Sequence, residues 1–439
     1  MPRLGHRRSP AIFSAIVVAG ALLSASIIGC GGGTARHRNT IGPLPSIETT
    51  GAAFGLTEDN ADLLWSPTAQ APPQAAPFLA GRRELTALHP RYLRLLVNWA
   101  ALQPAPGAPP TLNATVDGCA REVGPCGAYP GIEGQLAAIG SQQRAARKDG
   151  RIDFQVVVDI LGAPSWAALS PHGCERTGTP AAARAIRPDA LAAYQSLISG
   201  LLALARRVGV RLSWWSPWNE PNDPRFLSPQ RSACASGGEP LATGVYAQLA
   251  GALAGRLRAE GEGGSLLLGE LGGYDRGSPH RLSIAEFVKA IPEDVACLSR
   301  TWAVHAYSAR DRRHPEPDPV AELESALDAR GGCAASSRVW VTESGAGAPQ
   351  PGRARTGAPG EGLAACLALA QQVGRWRADP RVRAIFQYTF RDDPAFPVGL
   401  ADAELRTLSP AYGMWRELFA QRSPGTPVPS AEQACGGAG

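Results

Sequence analysis

Between positions 52 and 421 eight short apolar runs alternate with eight helix-like stretches, and nothing in the chain restricts its fold more than that order. The runs occupy residues 52–56, 92–98, 153–160, 212–219, 265–270, 302–306, 338–343 and 383–388. Helical spacing of apolar residues falls between them at 76–88, 133–148, 190–208, 246–260, 284–291, 319–329, 362–377 and 411–421. Several runs, such as Phe154-Gln-Val-Val-Val158, are nearly continuous in apolar residues. Strands covered on both faces read that way. Eight strand–helix pairs in succession are the count of an α/β fold of the (β/α)8 barrel, or TIM barrel, type. A doubly wound open sheet is the alternative, and no Gly-rich phosphate loop follows any strand to support it. The 44% hydrophobic fraction suffices for a large core, and no internal repeat is present.

A (β/α)8 barrel carries its chemistry at the C-terminal ends of the strands. The tryptophan-rich run 212–218 leads into Asn219-Glu220-Pro221, and the run 338–342 ends in Glu343. Two carboxylates at the ends of separate strands are what glycosidic bond cleavage needs, one as proton donor and one as nucleophile or base. An ordinary glutamate titrates near pH 4.3, so one that donates a proton near neutrality needs an environment that disfavours its charge. The long connections 100–130, 161–188 and 221–243 all follow strands and are expected to wall a cleft. Glu270, Glu58 and Asp159 are further strand-end carboxylates, read as neighbours of the pair or as subsite residues. Trp99, Trp166 and Trp218 suit either sugar stacking or the core.

Charge and composition narrow the partners. Lys+Arg 43 against Asp+Glu 38 leaves a formal charge of +5, spread without a basic run, so nucleic acid is not expected. Seven histidines without ligand spacing give no reason to expect a metal, and no cofactor is expected. Thr342-Glu343-Ser344 lacks the Gly-x-Ser-x-Gly turn of a serine esterase.

The N-terminus reads as an export signal. Arg3, Arg7 and Arg8 precede an apolar stretch at 11–28. It ends in Ile27-Ile28-Gly29-Cys30, which resembles a bacterial lipobox, although leucine and a small residue are commoner at its first two places. The resemblance implies lipidation of Cys30 and attachment to the membrane. An uncleaved anchor or plain secretion are the alternatives, and all three put the barrel outside the cytoplasm. Residues 1–30 are thus read as signal, 31–47 as tether, 48–421 as catalytic barrel and 422–439 as tail. Without Cys30 eight of nine cysteines remain, an even number suited to an oxidising compartment. The barrel topology suggests Cys119–Cys126, Cys174–Cys234, Cys297–Cys333 and Cys366–Cys435, with a free Cys366 as the alternative.

Asn-Glu-Pro ending the fourth strand and a glutamate ending the seventh resemble the clan A glycoside hydrolases. Trp218-Asn-Glu-Pro-Asn222 and Val341-Thr-Glu-Ser344 look most like family 39 and its family 5 neighbours. The resemblance implies a retaining glycosidase acting on O-glycosidic bonds of an oligo- or polysaccharide. Glu220 would be its acid/base and Glu343 its nucleophile. Asn219 would bond the hydroxyl beside the reacting carbon, Arg94 would sit beside the nucleophile, and His305 and Tyr307 would match the His-x-Tyr of strand six. Asn98 and Trp218 are added as substrate contacts. Strand eight departs from the family in lacking the usual tryptophan platform, which leaves Tyr388 as its candidate replacement. A glycan-binding lipoprotein without turnover and a transglycosylase are the rival readings.

Overall fold

The computed structural model describes residues 51–58, 75–113, 131–234, 237–261, 265–273, 278–307, 318–346, 361–393, 396–420 and 430–436. The apolar runs form strands β1 (Ala53–Thr57), β2 (Tyr92–Asn98), β3 (Gln155–Leu161), β4 (Leu212–Ser216), β5 (Ser265–Leu266), β6 (Leu268–Gly272), β7 (Thr301–His305), β8 (Arg338–Glu343) and β9 (Val382–Tyr388). The helices are α1 (Ala75–Leu88), α2 (Trp99–Leu102), α3 (Gly131–Lys148), α4 (Leu191–Val208), α5 (Leu241–Ala259), α6 (Ile284–Ala290), α7 (Glu293–Ala296), α8 (Pro319–Arg330), α9 (Glu361–Ala378), α10 (Pro410–Ala420) and α11 (Ala431–Gly436). The expected signal, the lipobox with Cys30, the tether and the Cys119–Cys126 pair lie outside the described residues. Among the described residues no helix is long and apolar enough to cross a membrane.

All strand pairs are parallel, in the order β5-β4-β3-β2-β1-β9-β8-β7-β6. The two ends of that order are consecutive in the chain. β5 pairs with β4, β6 pairs with β7, and only Leu267 lies between them, its N–H donating to Trp215 O at 2.9 Å. β5 and β6 are therefore one barrel strand, expected as the single run 265–270, and through it the sheet closes as a (β/α)8 barrel. A bulge beside the break bends this strand: Gly269 and Glu270 have φ of 93° and 55°, and the register to β7 shifts there. Only glycine fits position 269, since a Cβ would lie 2.6 Å from Ala303 O.

Each helix forms for a local reason. In α4 Tyr194, Leu197, Ile198, Leu201, Leu202, Leu204 and Ala205 are buried at three- and four-residue spacing. Burying each of its Leu and Ile side chains contributes roughly 1.5–3 kcal/mol. Gly209, at φ 72°, ends the helix with its N–H on the carbonyls of Ala205 and Arg206. The main core lies between the helices and the outer strand faces. A second cluster fills the barrel interior with Val157, Leu267, Ala303, Trp340, Ala384 and Phe386, flanked by Tyr92 and Trp214. Side chains two residues apart share a strand face. Stepping two residues toward the C-terminal end converts this apolar layer into Arg94, Asp159, Ser216, His305, Thr342 and Tyr388.

Three of the expected cysteine pairs are disulfides. Cys174–Cys234 ties the loop after β3 to the loop after β4. Cys297–Cys333 joins the segments that precede β7 and β8, at the opposite end of the barrel. Cys366–Cys435 joins α9 to α11 as expected, which rules out the alternative of a free Cys366.

Candidate active site

β4 stops at Ser216, earlier than the run 212–219 suggests. Pro217 has no N–H to continue the ladder, and the chain rejoins β3 only through Asn219 N–H to Ile160 O at 2.9 Å. Glu220 therefore stands on a loop, at φ 37°. A non-glycine residue there costs about 1–3 kcal/mol and persists only where its surroundings force it. Asn222 supplies such a constraint: its amide donates to Gly272 O (2.9 Å) and Leu282 O (3.1 Å) and accepts from Gly272 N–H. Gln230 donates to Pro221 O at 2.9 Å and Tyr194 to Pro217 O at 2.8 Å. The loop that carries Glu220 is thus fastened to the barrel on both sides.

Arg94 is fully buried and gathers the site. Its Nη1 donates to Glu343 Oε1 at 2.7 Å. Its Nη2 reaches Asp159 Oδ2 (2.8 Å), Asn219 Oδ1 (2.8 Å) and Glu270 Oε2 (3.1 Å). Tyr307 donates to Glu343 Oε2 at 2.5 Å. His305 Nδ1 lies 2.8 Å from Glu220 Oε1 and 3.3 Å from Glu343 Oε2. Carboxylate oxygens of Glu220 and Glu343 and a ring nitrogen of His305 all fall within 4.8 Å of one another. Arg225, on the cleft rim, approaches Glu220 Oε2 at 3.6 Å.

Burial and charge act against each other here. Burial works against the charge of Arg94, but Glu270, Asp159 and Glu343 outweigh it and hold the guanidinium pKa above its ordinary value. Burial likewise opposes charging of His305, yet Glu343 and the hydrogen bonds to Glu220 and Glu270 push its pKa up to about 10. Burial opposes the charge of Glu270 as well, and Arg94 and His305 reverse it, holding Glu270 at about 2. Asp159 goes the other way, with burial raising it well above the ordinary carboxylate range.

These shifts set a stability profile. A raised folded-state pKa stabilises fully below the unfolded value and loses its effect as pH rises through the folded one. His305 should cost stability between pH 6.5 and about 10. Glu270, lowered, should cost stability as pH falls from 4.5 to about 2, while Asp159 partly offsets that acid loss. Thermal melts of the oxidised protein are expected to show a lower Tm at pH 10 than at pH 6; an equal Tm at both would contradict a charged His305.

Arg94, Asn219, Glu220, His305, Tyr307 and Glu343 thus converge in one place. Asn98 does not join them: it is exposed, and its side chain accepts from Ala101 N–H at the start of α2. Trp218 corrects the expectation of a sugar contact. It is fully buried and donates to Phe226 O at 2.8 Å, because its apolar ring turns into the core once the strand ends. Glu58 is also taken up structurally, accepting from the N–H groups of Phe390 and Arg391. Tyr388 is half-buried and forms an aromatic wall with Tyr307 and Phe396, whose ring centroid lies 4.8 Å from that of Tyr307. Sequence reading missed Phe396, which sits in an irregular loop, and the donors Ser216 and Thr342, which the two-residue strand period could have revealed.

Among the described residues, the groups that could hold a metal are already engaged. Glu343 is bonded to Arg94 and Tyr307, and His305 has carboxylates at both ring nitrogens. The two cysteine-containing clusters, with His280 and with Glu293, are tied up as disulfides.

No family model and no curated protein matches the sequence. Solved structures do. A conserved exported protein from Bacteroides fragilis is 14% identical, with a TM-score of 0.53 over 88% of this chain and 82% of its own. SrfJ from Salmonella typhimurium is 11% identical, with a TM-score of 0.50 over 84% of this chain and 73% of its own. A family 39 glycoside hydrolase from the gut symbiont Bacteroides cellulosilyticus is 15% identical, with a TM-score of 0.47 over 85% of this chain. This chain spans 65% of that protein's length. At such identities the first two likenesses speak to the fold, and the fold they share with this chain is the (β/α)8 barrel.

Proposed function

We propose that the protein is a retaining glycoside hydrolase that cleaves O-glycosidic bonds of an oligo- or polysaccharide. The observation that carries this reading is the closeness of Glu220 and Glu343, one carboxylate oxygen of each lying within 4.8 Å of the other. Carboxyl groups about 5–5.5 Å apart suit a double displacement, whereas an inverting pair stands about 6.5–9.5 Å apart to admit water.

In the first step a Glu343 oxygen attacks the anomeric carbon and the bond to the leaving oxygen breaks. Glu220 gives its proton to that oxygen, so a glycosyl ester and a free alcohol result. In the second step Glu220 takes a proton from water, the hydroxide oxygen attacks the anomeric carbon, and Glu343 departs as a carboxylate. Arg94 and Tyr307 hold the two oxygens of Glu343 in place, and Asn219, fixed by Arg94, is placed for the hydroxyl beside the reacting carbon. Charge supports the assignment. The carboxylates Asp159, Glu220, Glu270 and Glu343 outnumber the cations Arg94 and His305 that face them, a surplus of negative charge. A transferable proton on Glu220 reduces it.

The disulfides fit an oxidising compartment, and the N-terminal pattern fits export with a lipid tether at Cys30. The domain therefore meets its glycan outside the cytoplasm.

The test is a screen of residues 48–439 against aryl glycosides and polysaccharides, with Glu220→Ala alongside. The variant is expected to lose about 10²–10⁴-fold on sugars with unactivated leaving groups, the usual worth of a positioned acid. Dinitrophenyl glycosides, whose leaving group needs no proton, should lose far less, and azide should give a glycosyl azide of retained configuration. Saccharide binding without turnover by the wild type would sink the proposal. Longer oligosaccharides in place of free reducing ends would make the protein a transglycosylase.

A further inference from the structure

Glu270 has no place in the two steps above, yet it is fully buried within the site at a strained φ of 55°. Its Oε2 lies between two cations, 3.1 Å from Arg94 Nη2 and 2.8 Å from His305 Nε2, and Thr342 Oγ1 donates to it at 2.6 Å. Ser216 Oγ donates to Oε1 at 3.0 Å. Arg94 Nη2 and His305 Nε2 are themselves only 3.4 Å apart. Two N–H groups that face each other this closely repel unless an anion bridges them, and Glu270 is that bridge. The other ring nitrogen of His305 lies between the two carboxylates of the proposed reaction, 2.8 Å from Glu220 and 3.3 Å from Glu343.

We propose that Glu270 is a positioning residue that acts through His305. By accepting from Nε2–H it keeps the ring doubly protonated, and the charged Nδ1–H stands between Glu220 and Glu343. The inference rests on the glycosidase reading for its use but not for its test. During the first step negative charge leaves Glu343, which becomes an ester, and appears on Glu220, which has lost its proton. During the second it returns. One N–H within reach of both oxygens can shift its bond with the charge, and the imidazole neither gains nor loses a proton. Charge-assisted hydrogen bonds are roughly twice as strong as neutral ones, so a neutral His305 would serve this role less well.

The groups that face His305 make the dependence on Glu270 specific. Arg94 from β2 opposes its charge. Asp159 from β3, Glu220 from the loop after β4, Glu270 from β6 and Glu343 from β8 favour it, and the Tyr307 hydroxyl bonds Glu343 beside it. Among these, the Glu270 carboxylate accepts at Nε2. In Glu270→Gln an amide replaces the bridging charge, and Arg94 then drives the proton off Nε2.

The experiment is a ¹⁵N NMR titration of the seven histidines in the free protein, with His305→Gln to identify the signal. In the wild type both His305 nitrogens are expected to stay protonated from pH 5 to 9. In Glu270→Gln the Nε2 proton should be lost within that range, with kcat/KM down about tenfold or more. A Ser216→Ala control, which removes one hydroxyl and no charge, should keep the imidazolium. A wild-type His305 already neutral at pH 7 overturns the proposal, even if Glu270→Gln does not fold. So does a variant whose His305 stays charged to pH 9. Because the readout needs no substrate, failure of the glycosidase reading would show separately, as wild type that turns over no glycan while the titration behaves as expected.

Discussion

Glu343→Ala is expected to lower kcat/KM by at least about 10⁴-fold, on the scale seen when an enzyme loses its nucleophile. The loss should be equal for good and poor leaving groups, since without attack neither bond breaks. Azide should then restore turnover, because the small anion fits the space of the lost carboxylate. It attacks from the same face, and with one displacement in place of two the product is a glycosyl azide of inverted configuration. The inverted product from this variant and the retained one expected from Glu220→Ala would together fix the order of events. The fold should survive the change. Arg94 keeps Asp159 and Glu270 as counter-charges, and Asn219 as a further acceptor. Undiminished cleavage by Glu343→Ala would show that the nucleophile is elsewhere. Glu270 would be the next suspect, although its full burial and its four bonding partners leave no approach for an anomeric carbon.

Much of this arrangement could be read from the order of residues, because a strand's two-residue period maps sequence directly onto barrel layers. Tyr92 lies in the apolar layer and Arg94 in the site; Val157 and Asp159, Trp214 and Ser216, and Trp340 and Thr342 repeat the step. His305 ends a continuous apolar run and falls where the period puts it, two residues after Ala303, whereas Glu343 follows Thr342 out of phase, at a shift in the β7–β8 register. What the period cannot carry is departure from it. The bulge at Gly269–Glu270 splits one strand in two and turns Glu270 into the site, and it depends on φ values no propensity records. Pro217 did signal an early end to β4. Beyond it Trp218 belongs to a loop, where the burial of an indole depends on contacts distant in sequence. Phe396 completes the aromatic wall from an irregular segment with no pattern at all. Cys366 sits within a helix, and its partner Cys435 is brought to it by the packing of α11.

Arg94→Met carries the second large expected effect, this time on stability. Methionine fills much of the same space without charge, so the variant isolates the electrostatic role. Arg94 is the shared cation of Asp159, Glu270 and Glu343, all nearly or wholly buried. Removing one partner of a buried ion pair costs about 3–5 kcal/mol, because the remaining charges stay desolvated and unopposed. The cost should depend on pH in a definite direction. In the wild type Glu270 is held at about 2, so its contribution is present above pH 4.5 and is lost toward pH 2. Without Arg94 the buried carboxylates bind protons more tightly when folded than when unfolded, so the variant loses stability as pH rises. The gap between wild type and variant should therefore be narrow at pH 4 and wide at pH 7. Urea unfolding at the two values measures it, and equal stability at pH 7 would show that another group supplies the counter-charge. Arg94→Lys should recover only part of the loss. One ammonium can neutralise charge, but it cannot place one nitrogen on Glu343 and another on Asp159 and Asn219, as the guanidinium fork does. Activity in the lysine variant should stay far below wild type even where stability returns, since the barrel needs the charge and Glu343 needs the geometry.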